Sequence, residues 1–312
     1  MKPTPTVAVL VPCCNEAKTI TTVVADFRRV LPEATVYVYD NNSSDTTVET
    51  AQRAGAVVRS EALQGKGNVV RRMFADVDAD IYVLVDGDDT YDAGAAPRMI
   101  DAMLGMRLDL VNGLRTSSEA ASYRSGHRFG NALLTRIVGI LFRQHFDDML
   151  SGYKVLSRRF VKSMPVLSAG FEIETEIIIH ALEMRMPTAE TRTIYRSRPA
   201  GSASKLNTVS DGLRILFTIA RLFSTEKPMQ FFSSIAALFA GSSIVLAIPV
   251  FGEYLSTGLV PRFPTAILAT GLMLTAFLSM TCGVILDSVC RGRREFKRLA
   301  YLGFAPPGAG GG

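Results

Sequence analysis

Short apolar runs alternate with helical patterns along the N-terminal part of the chain. The stretches 6–11, 35–39, 56–59 and 81–85 are predicted to be strands, and the unbroken apolar run 81–85 is typical of a strand that is buried on both faces. Between the first two, apolar residues recur at helical spacing over 17–30: Ile20, Val23, Val24, Phe27 and Val30. This strand–helix rhythm predicts a parallel, doubly wound α/β sheet.

The alternation continues as far as residue 195. The pattern predicts helices over 46–54, 66–75, 97–103, 127–142 and 171–184, and strands near 108–111, 155–156 and 188–195. Polar loops follow several of these strands. Because open α/β sheets bind ligands at the carboxyl ends of their strands, we expect a functional site at that edge.

Two long apolar segments, 231–250 and 263–286, dominate the C-terminal part of the chain. Each is uncharged over the roughly 20 residues that a helix needs to cross a bilayer. The linker between them is short, so the pattern predicts a transmembrane hairpin. The preceding segment 211–223 is amphipathic, which fits a helix in the membrane interface or one packed on the core.

The distribution of charge predicts the orientation of this hairpin. The linker has Arg262 as its single basic residue. Five basic residues follow the second apolar segment: Arg291, Arg293, Arg294, Lys297 and Arg298. The positive-inside rule then predicts an integral protein of the inner or plasma membrane with its N-terminal domain and C-terminal tail in the cytoplasm.

Net charge and composition indicate which kinds of ligand or macromolecule the protein could bind. The net charge is +5, which suits phosphate ligands and an anionic membrane surface. No basic stripe is interleaved with aromatic residues, so a nucleic-acid partner is not expected. The four cysteines lack zinc-site spacing and are expected to be reduced.

An acidic turn follows the apolar run 81–85 and contains Asp86, Asp88 and Asp89. Hard carboxylate oxygens on such a turn suit Mg²⁺ or Mn²⁺. The alternative is a solvated turn that binds no metal.

Two further loops have both a structural and a functional interpretation. Asp40 ends a strand, where it can reach a nucleotide base or ribose, or instead form an Asx-turn. Lys66 lies between two glycines at a helix N-terminus, which suits an anion or an ordinary flexible turn. Glu172, Glu174 and Glu176 begin a predicted helix, where they complement its dipole.

Six motifs occur in a specific order: VPCCNEAKTI, DNNSSDTT, QGKGN, VDGDD, LSGYKVLSR and RSRPAGSASKL. Over about residues 6–210 they resemble glycosyltransferase family 2, and most of all the dolichyl- or polyprenyl-phosphate glycosyltransferases. In that family the fifth motif reads S-G-[FY]-[KR]. The resemblance implies the GT-A nucleotide-diphospho-sugar transferase fold, a doubly wound mixed sheet.

The resemblance also implies roles for individual residues. Those expected to bind the nucleotide sugar are Pro12, Asn15, Glu16, Asp40 and, more weakly, Lys66. Asp86 and Asp88 are expected to bind the diphosphate and its metal, and Arg115 and Arg128 the acceptor phosphate. A flap with Arg198, Ser202 and Lys205 is expected to cover the donor, although it has one more residue than the usual pattern. Family members often carry Gln where this chain has Thr90, so the third metal ligand is open.

The implied enzyme moves a sugar from a nucleotide-diphosphate sugar to polyprenyl phosphate, with Mg²⁺ or Mn²⁺ and inversion at the sugar carbon. The expected organisation is a catalytic domain over 1–207, an interfacial helix or linker over 208–228, a hairpin over 229–290 and a basic tail over 291–312 whose end is disordered. The spans are expected at about 231–252 and 263–287. A homo-oligomer could form through them.

Three other functions fit parts of the sequence. A processive polysaccharide synthase of the same superfamily would carry a Q-x-x-R-W motif, but this chain has no Trp. A transferase acting on a lipid-linked sugar hydroxyl would need a carboxylate base, for which Glu172, Glu174 and Asp148 are candidates. A catalytically silent membrane scaffold would have no need of the acidic, basic and Gly-rich loops.

Overall fold

The computed structural model describes residues 4–116, 139, 146–196, 223–225 and 227–308. The chain divides into two units, one comprising Met1–Thr208 with Phe296–Gly312 and the other Val209–Glu295. Several predictions fall outside the described residues. One is the helix expected over 127–142, of which only residue 139 is described, and another is the helix expected over 211–223, of which only residue 223 is described. The others are the site residues Arg128, Arg198, Ser202 and Lys205.

A seven-stranded mixed sheet forms the centre of the first unit. Its strands are β1 Val7–Cys13, β2 Thr35–Asp40, β3 Val57–Ser60, β4 Ile81–Leu84, β5 Leu110–Thr116, β6 Lys154–Ser157 and β7 Thr188–Ile194. Their order across the sheet is β3-β2-β1-β4-β6-β5-β7. The first four strands are parallel, as predicted, whereas β6 runs antiparallel to both β4 and β5.

In the described part of the first unit, six helices accompany these strands: α1 Ile20–Val30, α2 Thr47–Arg53, α3 Lys66–Asp76, α4 Ala96–Met106, α5 Arg158–Ser163 and α6 Ile173–Glu183. A short 3₁₀ turn, Ala93–Ala95, precedes α4. The sequence analysis missed α5, which starts directly where β6 ends. Ser157 caps it by accepting a hydrogen bond from the backbone N–H of Phe160 at 3.2 Å.

Helices cover both faces of the sheet. On one face, alternate strand residues such as Val9, Val83 and Val155 join Phe27 of α1 and Met99 of α4 in one buried cluster. Phe74 of α3 packs edge-on against Tyr82 of β4, the ring centroids being 6.4 Å apart. Since side chains alternate across a strand, Tyr82 and Val83 face opposite layers. The doubly wound prediction is therefore confirmed.

Two strands extend further than the sequence predicted. β1 continues through Pro12 to Cys13, and Pro12 lies opposite Tyr39 of β2. β5 includes Arg115 and its neighbours, which the sequence assigned to a loop, because β7 pairs with it over its whole length. β1, β2, β4, β5 and β7 therefore end at one edge of the sheet, where antiparallel β6 begins.

The second unit contains two long apolar helices, α7 Pro228–Thr257 and the first part of α8 Phe263–Leu302. Both are long and apolar enough to cross a membrane, with mean hydropathy 2.1 and 1.8. Within the hairpin, the hydroxyl of Ser243 donates to the carbonyl of Ala269 at 2.7 Å. The basic residues after the predicted second span lie on the continuation of α8.

The chain from Phe296 onward belongs to the first unit. There the hydroxyl of Tyr301 donates to the buried carboxylate of Asp109 at 2.9 Å, and Lys297 pairs with Glu183 at 2.7 Å. The sequence predicted disorder at the end of the tail. The structure describes the chain as far as Gly308, with Pro307 buried.

Candidate active site

The loops after β1 and β2 are hydrogen-bonded to each other. Asn15 adopts a left-handed backbone conformation, with φ of 56°, and its side-chain oxygen accepts from the N–H of Ser44 at 2.8 Å. The N–H of Asn15 donates to the hydroxyl of Ser43 at 2.8 Å, and that of Ala17 to Asp45 at 3.2 Å. The predicted nucleotide-binding residues on the two loops thus belong to one continuous wall, and Asn15 helps to build it.

Asp40 has the environment of a ligand-binding carboxylate. It is 5% exposed, and its Oδ2 accepts from the N–H of Ser43 at 3.1 Å. Its Oδ1 is buried without a hydrogen-bond partner among the described residues. The Asx-turn interpretation accounts for one oxygen, while the other suits an N–H donor of a bound base, since buried acceptors are rarely left unpaired.

On the acidic turn, Thr90 holds Asp88. Asp88 is 4% exposed, and its Oδ1 accepts from the hydroxyl of Thr90 at 2.6 Å and from its N–H at 3.3 Å. Asp89 has a left-handed φ of 57°, and burial raises its pKa. Thr90 therefore fixes the orientation of the Asp88 carboxylate.

Asp86 is paired with Lys66, whose ammonium also bonds to Glu174 of α6. The Lys66 side chain is only 8% exposed. Burial lowers the pKa of Lys66, but the two carboxylates outweigh it and hold the pKa above its ordinary value. The sequence made Lys66 a weaker candidate for the nucleotide site and Glu174 a helix-dipole residue or a candidate base; the structure joins both to the acidic turn.

Asp86 also packs directly against the backbone of Gly152. A Cβ atom at Gly152 would lie 2.2 Å from Asp86 Oδ2. We expect Gly152→Ala to displace that carboxylate and to lower kcat/KM by on the order of tenfold to a hundredfold. Steady-state kinetics measure this effect.

Gly105→Ala is the matched control for Gly152→Ala. Nothing lies within 4 Å of a Cβ at Gly105, which is inside α4. This variant should keep its activity and gain up to about 1 kcal/mol of stability, because alanine favours helix over glycine. Equal activity of the two variants would show that the Asp86–Gly152 contact is unimportant.

At the other end of the site, Arg115 on β5 is held by Asp148. The guanidinium makes two hydrogen bonds to the carboxylate, Nε–Oδ2 at 2.6 Å and Nη2–Oδ1 at 2.8 Å. The two side chains are 13% and 6% exposed, and Arg115 lies over the ring of Tyr195 at 5.4 Å. Burial opposes ionisation of Asp148, but the hydrogen bonds from Arg115 lower its pKa below the ordinary value.

The described residues offer few ligands for a metal ion. They contain no group of three or more His, Cys, Asp or Glu side chains that could hold an ion. Mg²⁺, however, commonly binds one or two carboxylates together with substrate phosphates. The buried, oriented carboxylate of Asp88 fits that pattern, and Asp86 fits less well because Lys66 already occupies it.

The model of the Glycosyl transferase family 2 matches residues 8–163 of the chain. The chain belongs to glycosyltransferase family 2. Among its relatives, glycosyltransferase AglJ of Haloferax volcanii is 31% identical over 303 residues, covering 96% of this chain and 99% of that protein. The dolichyl-phosphate hexose transferase of the same organism is 27% identical over 220 residues, covering 70% of this chain and 95% of that protein.

Comparison with solved glycosyltransferase structures confirms the GT-A fold. Glucosyl-3-phosphoglycerate synthase from Mycobacterium tuberculosis, crystallised with Mn²⁺ and UDP-glucose, superposes with a TM-score of 0.56. It is 23% identical, and the match covers 70% of this chain and 78% of that one. The predicted family, fold and enzyme class are therefore confirmed: this family 2 member is a glycosyltransferase.

Proposed function

We propose that this glycosyltransferase moves a sugar from a nucleotide-diphosphate sugar to polyprenyl phosphate. The observation that carries the proposal is that two groups of residues lie at the same edge of the sheet. One group could bind the nucleotide sugar, which we call the donor side, and the other is cationic and could bind the acceptor phosphate. The donor side has an oxygen of Asp40 that lacks a partner among the described residues, and the oriented carboxylate of Asp88. Arg115, oriented by Asp148, lies at the end of β5 on the same edge.

The two relatives described above add support. One carries dolichyl-phosphate hexose transfer in its name, and the other is similar over nearly the whole of this chain. The two apolar helices agree with an acceptor that is confined to a membrane surface. The similarity to glucosyl-3-phosphoglycerate synthase supports the fold and says nothing about the substrate of this chain.

The reaction needs no strong general base. A lipid phosphate oxygen is already anionic at neutral pH and forms the new bond to the anomeric carbon. The bond from that carbon to the diphosphate breaks, its electrons leave with the nucleoside diphosphate, and inversion results. Arg115 would orient the attacking phosphate, while Arg128, Arg198, Ser202 and Lys205 remain further candidates to bind the two phosphate groups.

The donor side has the complementary task of holding the nucleotide. Asp40 would accept a hydrogen bond from the base, and Pro12 and Glu16 would line the same wall. Asp88, with Asp86 as a second carboxylate, would hold Mg²⁺ or Mn²⁺. When bound there, the ion would supply positive charge to stabilise the leaving diphosphate.

The proposed location is a membrane with the catalytic unit on its cytoplasmic side. Arginines such as Arg291 and Arg294 follow the second apolar segment, whereas the linker carries Arg262 alone among basic residues. The segment after these arginines belongs to the same unit as the catalytic sheet, which agrees with both ends of the hairpin lying on one side.

Transfer to a lipid-linked sugar hydroxyl is the competing reaction, and it would need a carboxylate base. Asp148 is bound to Arg115, and Glu174 to Lys66. An ion-paired carboxylate is a weak base, because its cation stabilises the unprotonated form. Glu172 is exposed and has no such cation among the described residues, so it remains the candidate for that reaction.

A direct assay distinguishes the two reactions. The full-length protein in lipid nanodiscs would be incubated with UDP- and GDP-sugars, Mg²⁺ or Mn²⁺, and either undecaprenyl phosphate or a lipid-linked sugar with a free hydroxyl. We expect a mild-acid-labile lipid monophosphate sugar and one equivalent of nucleoside diphosphate, both lost when EDTA is added. Transfer confined to the hydroxyl acceptor would refute the proposal.

A further inference from the structure

Charged side chains of alternating sign connect the acidic turn to Arg115. We call this set the ionic chain; its members in order are Asp86, Lys66, Glu174, Lys154, Asp148 and Arg115. Lys66 bonds to both of its neighbours, and Asp148 bonds to Arg115. Lys154 lies within electrostatic range of both Glu174 and Asp148. Three cations therefore balance three carboxylates.

Lys154 has no part in the chemistry described so far. It is the first residue of β6, and its side chain is completely buried. Its ammonium donates to the backbone carbonyl of Ser151, which is also buried. Since a lysine is almost never fully buried without compensating partners, this placement calls for a reason.

We propose that Lys154 is a positioning residue, whose ammonium holds the loop 147–152 so that Asp148 keeps Arg115 oriented toward the acceptor. The identity of that acceptor rests on the function proposed above. The loop is pinned at its start by Glu190, which accepts from the N–H of Asp147 at 2.8 Å. At its end, the N–H of Gly152 donates to the hydroxyl of Tyr91 at 2.7 Å.

Between these ends, Asn112 donates to the carbonyl of Asp148 at 2.8 Å and Lys154 donates to that of Ser151. Of the two, only Lys154 also supplies charge. Without it, the buried Ser151 carbonyl loses its ammonium donor, and Glu174 and Asp148 lose a neighbouring cation. The loop also carries Gly152, against which Asp86 packs. A disturbance at Ser151 therefore reaches the acceptor side through Asp148, whereas Gly152 on the donor side is held separately by the hydroxyl of Tyr91.

The charge of Lys154 changes within an accessible pH range. Burial lowers its pKa to about 8; Lys66 of α3 and Arg115 of β5 act in the same direction, while Glu174 of α6 and Asp148 of the loop oppose it. Lys154 is therefore a cation below that pH and neutral above it. We expect kcat/KM for the acceptor to fall as the pH rises through about 8. Arginine, which the family pattern also admits here, stays charged.

The test compares Lys154→Met, Lys154→Arg and the control Lys162→Met. Lys162 also donates to backbone carbonyls, those of Phe74 and Val77, but is away from the ionic chain. We expect Lys154→Met to raise the KM for undecaprenyl phosphate by on the order of tenfold or more, with the nucleotide Kd within about twofold of wild type. Lys154→Arg should restore the KM and remove the decline at alkaline pH, and Lys162→Met should retain the wild-type profile.

Amide hydrogen exchange of residues 147–153 provides a readout that does not depend on catalysis. Exchange there should be faster in Lys154→Met than in wild type at pH 7, and faster in wild type than in Lys154→Arg at pH 9. An unchanged acceptor KM in Lys154→Met, or an alkaline decline that persists in Lys154→Arg, would overturn the role. If wild type makes no lipid product, the proposed function falls, and the exchange rates alone decide whether Lys154 positions the loop.

Discussion

Replacement of Asp88 by Asn is expected to lower kcat by on the order of a thousandfold while the protein remains folded. The Asn side chain keeps an oxygen that can accept from the hydroxyl of Thr90, so the turn retains its hydrogen bond. What is lost is the negative charge that would bind the cation. The loss of activity should therefore come with weaker binding of Mn²⁺, measured by calorimetry in the presence of nucleoside diphosphate.

Asp89→Asn is the matched control, since it removes the same charge one residue away. Asparagine tolerates the left-handed conformation that Asp89 adopts, so the fold of the turn should persist. We expect activity within about threefold of wild type. Similar losses in the two variants would mean that the turn acts through its total charge and not through Asp88.

The second large effect is expected at Arg115. Arg115→Lys should raise the KM for polyprenyl phosphate by on the order of a hundredfold and leave the nucleotide Kd nearly unchanged. A lysine ammonium cannot make the two parallel hydrogen bonds by which Asp148 orients the guanidinium. Initial rates at varied acceptor, together with nucleotide binding by calorimetry, separate the two sides of the site. An unchanged acceptor KM would remove Arg115 from the acceptor site.

Arg158→Lys serves as the control for the chemical change. Arg158 pairs with Asp78 at 2.7 Å, but these side chains are 41% and 61% exposed. Exposed pairs contribute about 0–1 kcal/mol, so we expect little change in stability or activity. Breaking the buried Arg115–Asp148 pair should instead cost roughly 3–5 kcal/mol.

The Arg115–Asp148 pair also contributes to stability in a pH-dependent way. The folded pKa of Asp148 lies below 3.8, its ordinary value. The contribution is therefore fully present above that ordinary pKa, and it is lost as the pH falls through the folded pKa. Arg115→Lys should weaken this acid dependence of the melting temperature.

The sequence predicted the sheet and the edge that carries the site because both depend on local patterns. The buried strand β4 is a continuous apolar run followed by the turn that contains Asp88, and Asp40 is the last residue of β2. The family motifs then identified the donor side. Local patterns and motifs therefore placed the donor-side residues at the right edge of the sheet. The functions assigned to those residues stay predictions.

The partners of these residues could not be read from the sequence, because they are distant along the chain. Lys66 and Glu174 are separated by 108 positions, and Arg115 and Asp148 by 33. No local pattern distinguishes Glu174 as a partner of Lys66 from Glu174 as a helix-dipole residue. The length of β5 was missed for the same reason, since its pairing with β7 determines it.

The return of the C-terminal segment to the first unit makes the catalytic part discontinuous in sequence. Asp109 is completely buried and bonds to Tyr301, and Glu183 is paired with Lys297. A soluble fragment that ends at residue 207 would lack both partners and leave these carboxylates with fewer donors. A fragment cut before the two long apolar helices should therefore be less stable than the intact first unit, and we expect it to need residues 296–308 supplied across a designed linker or as a separate peptide.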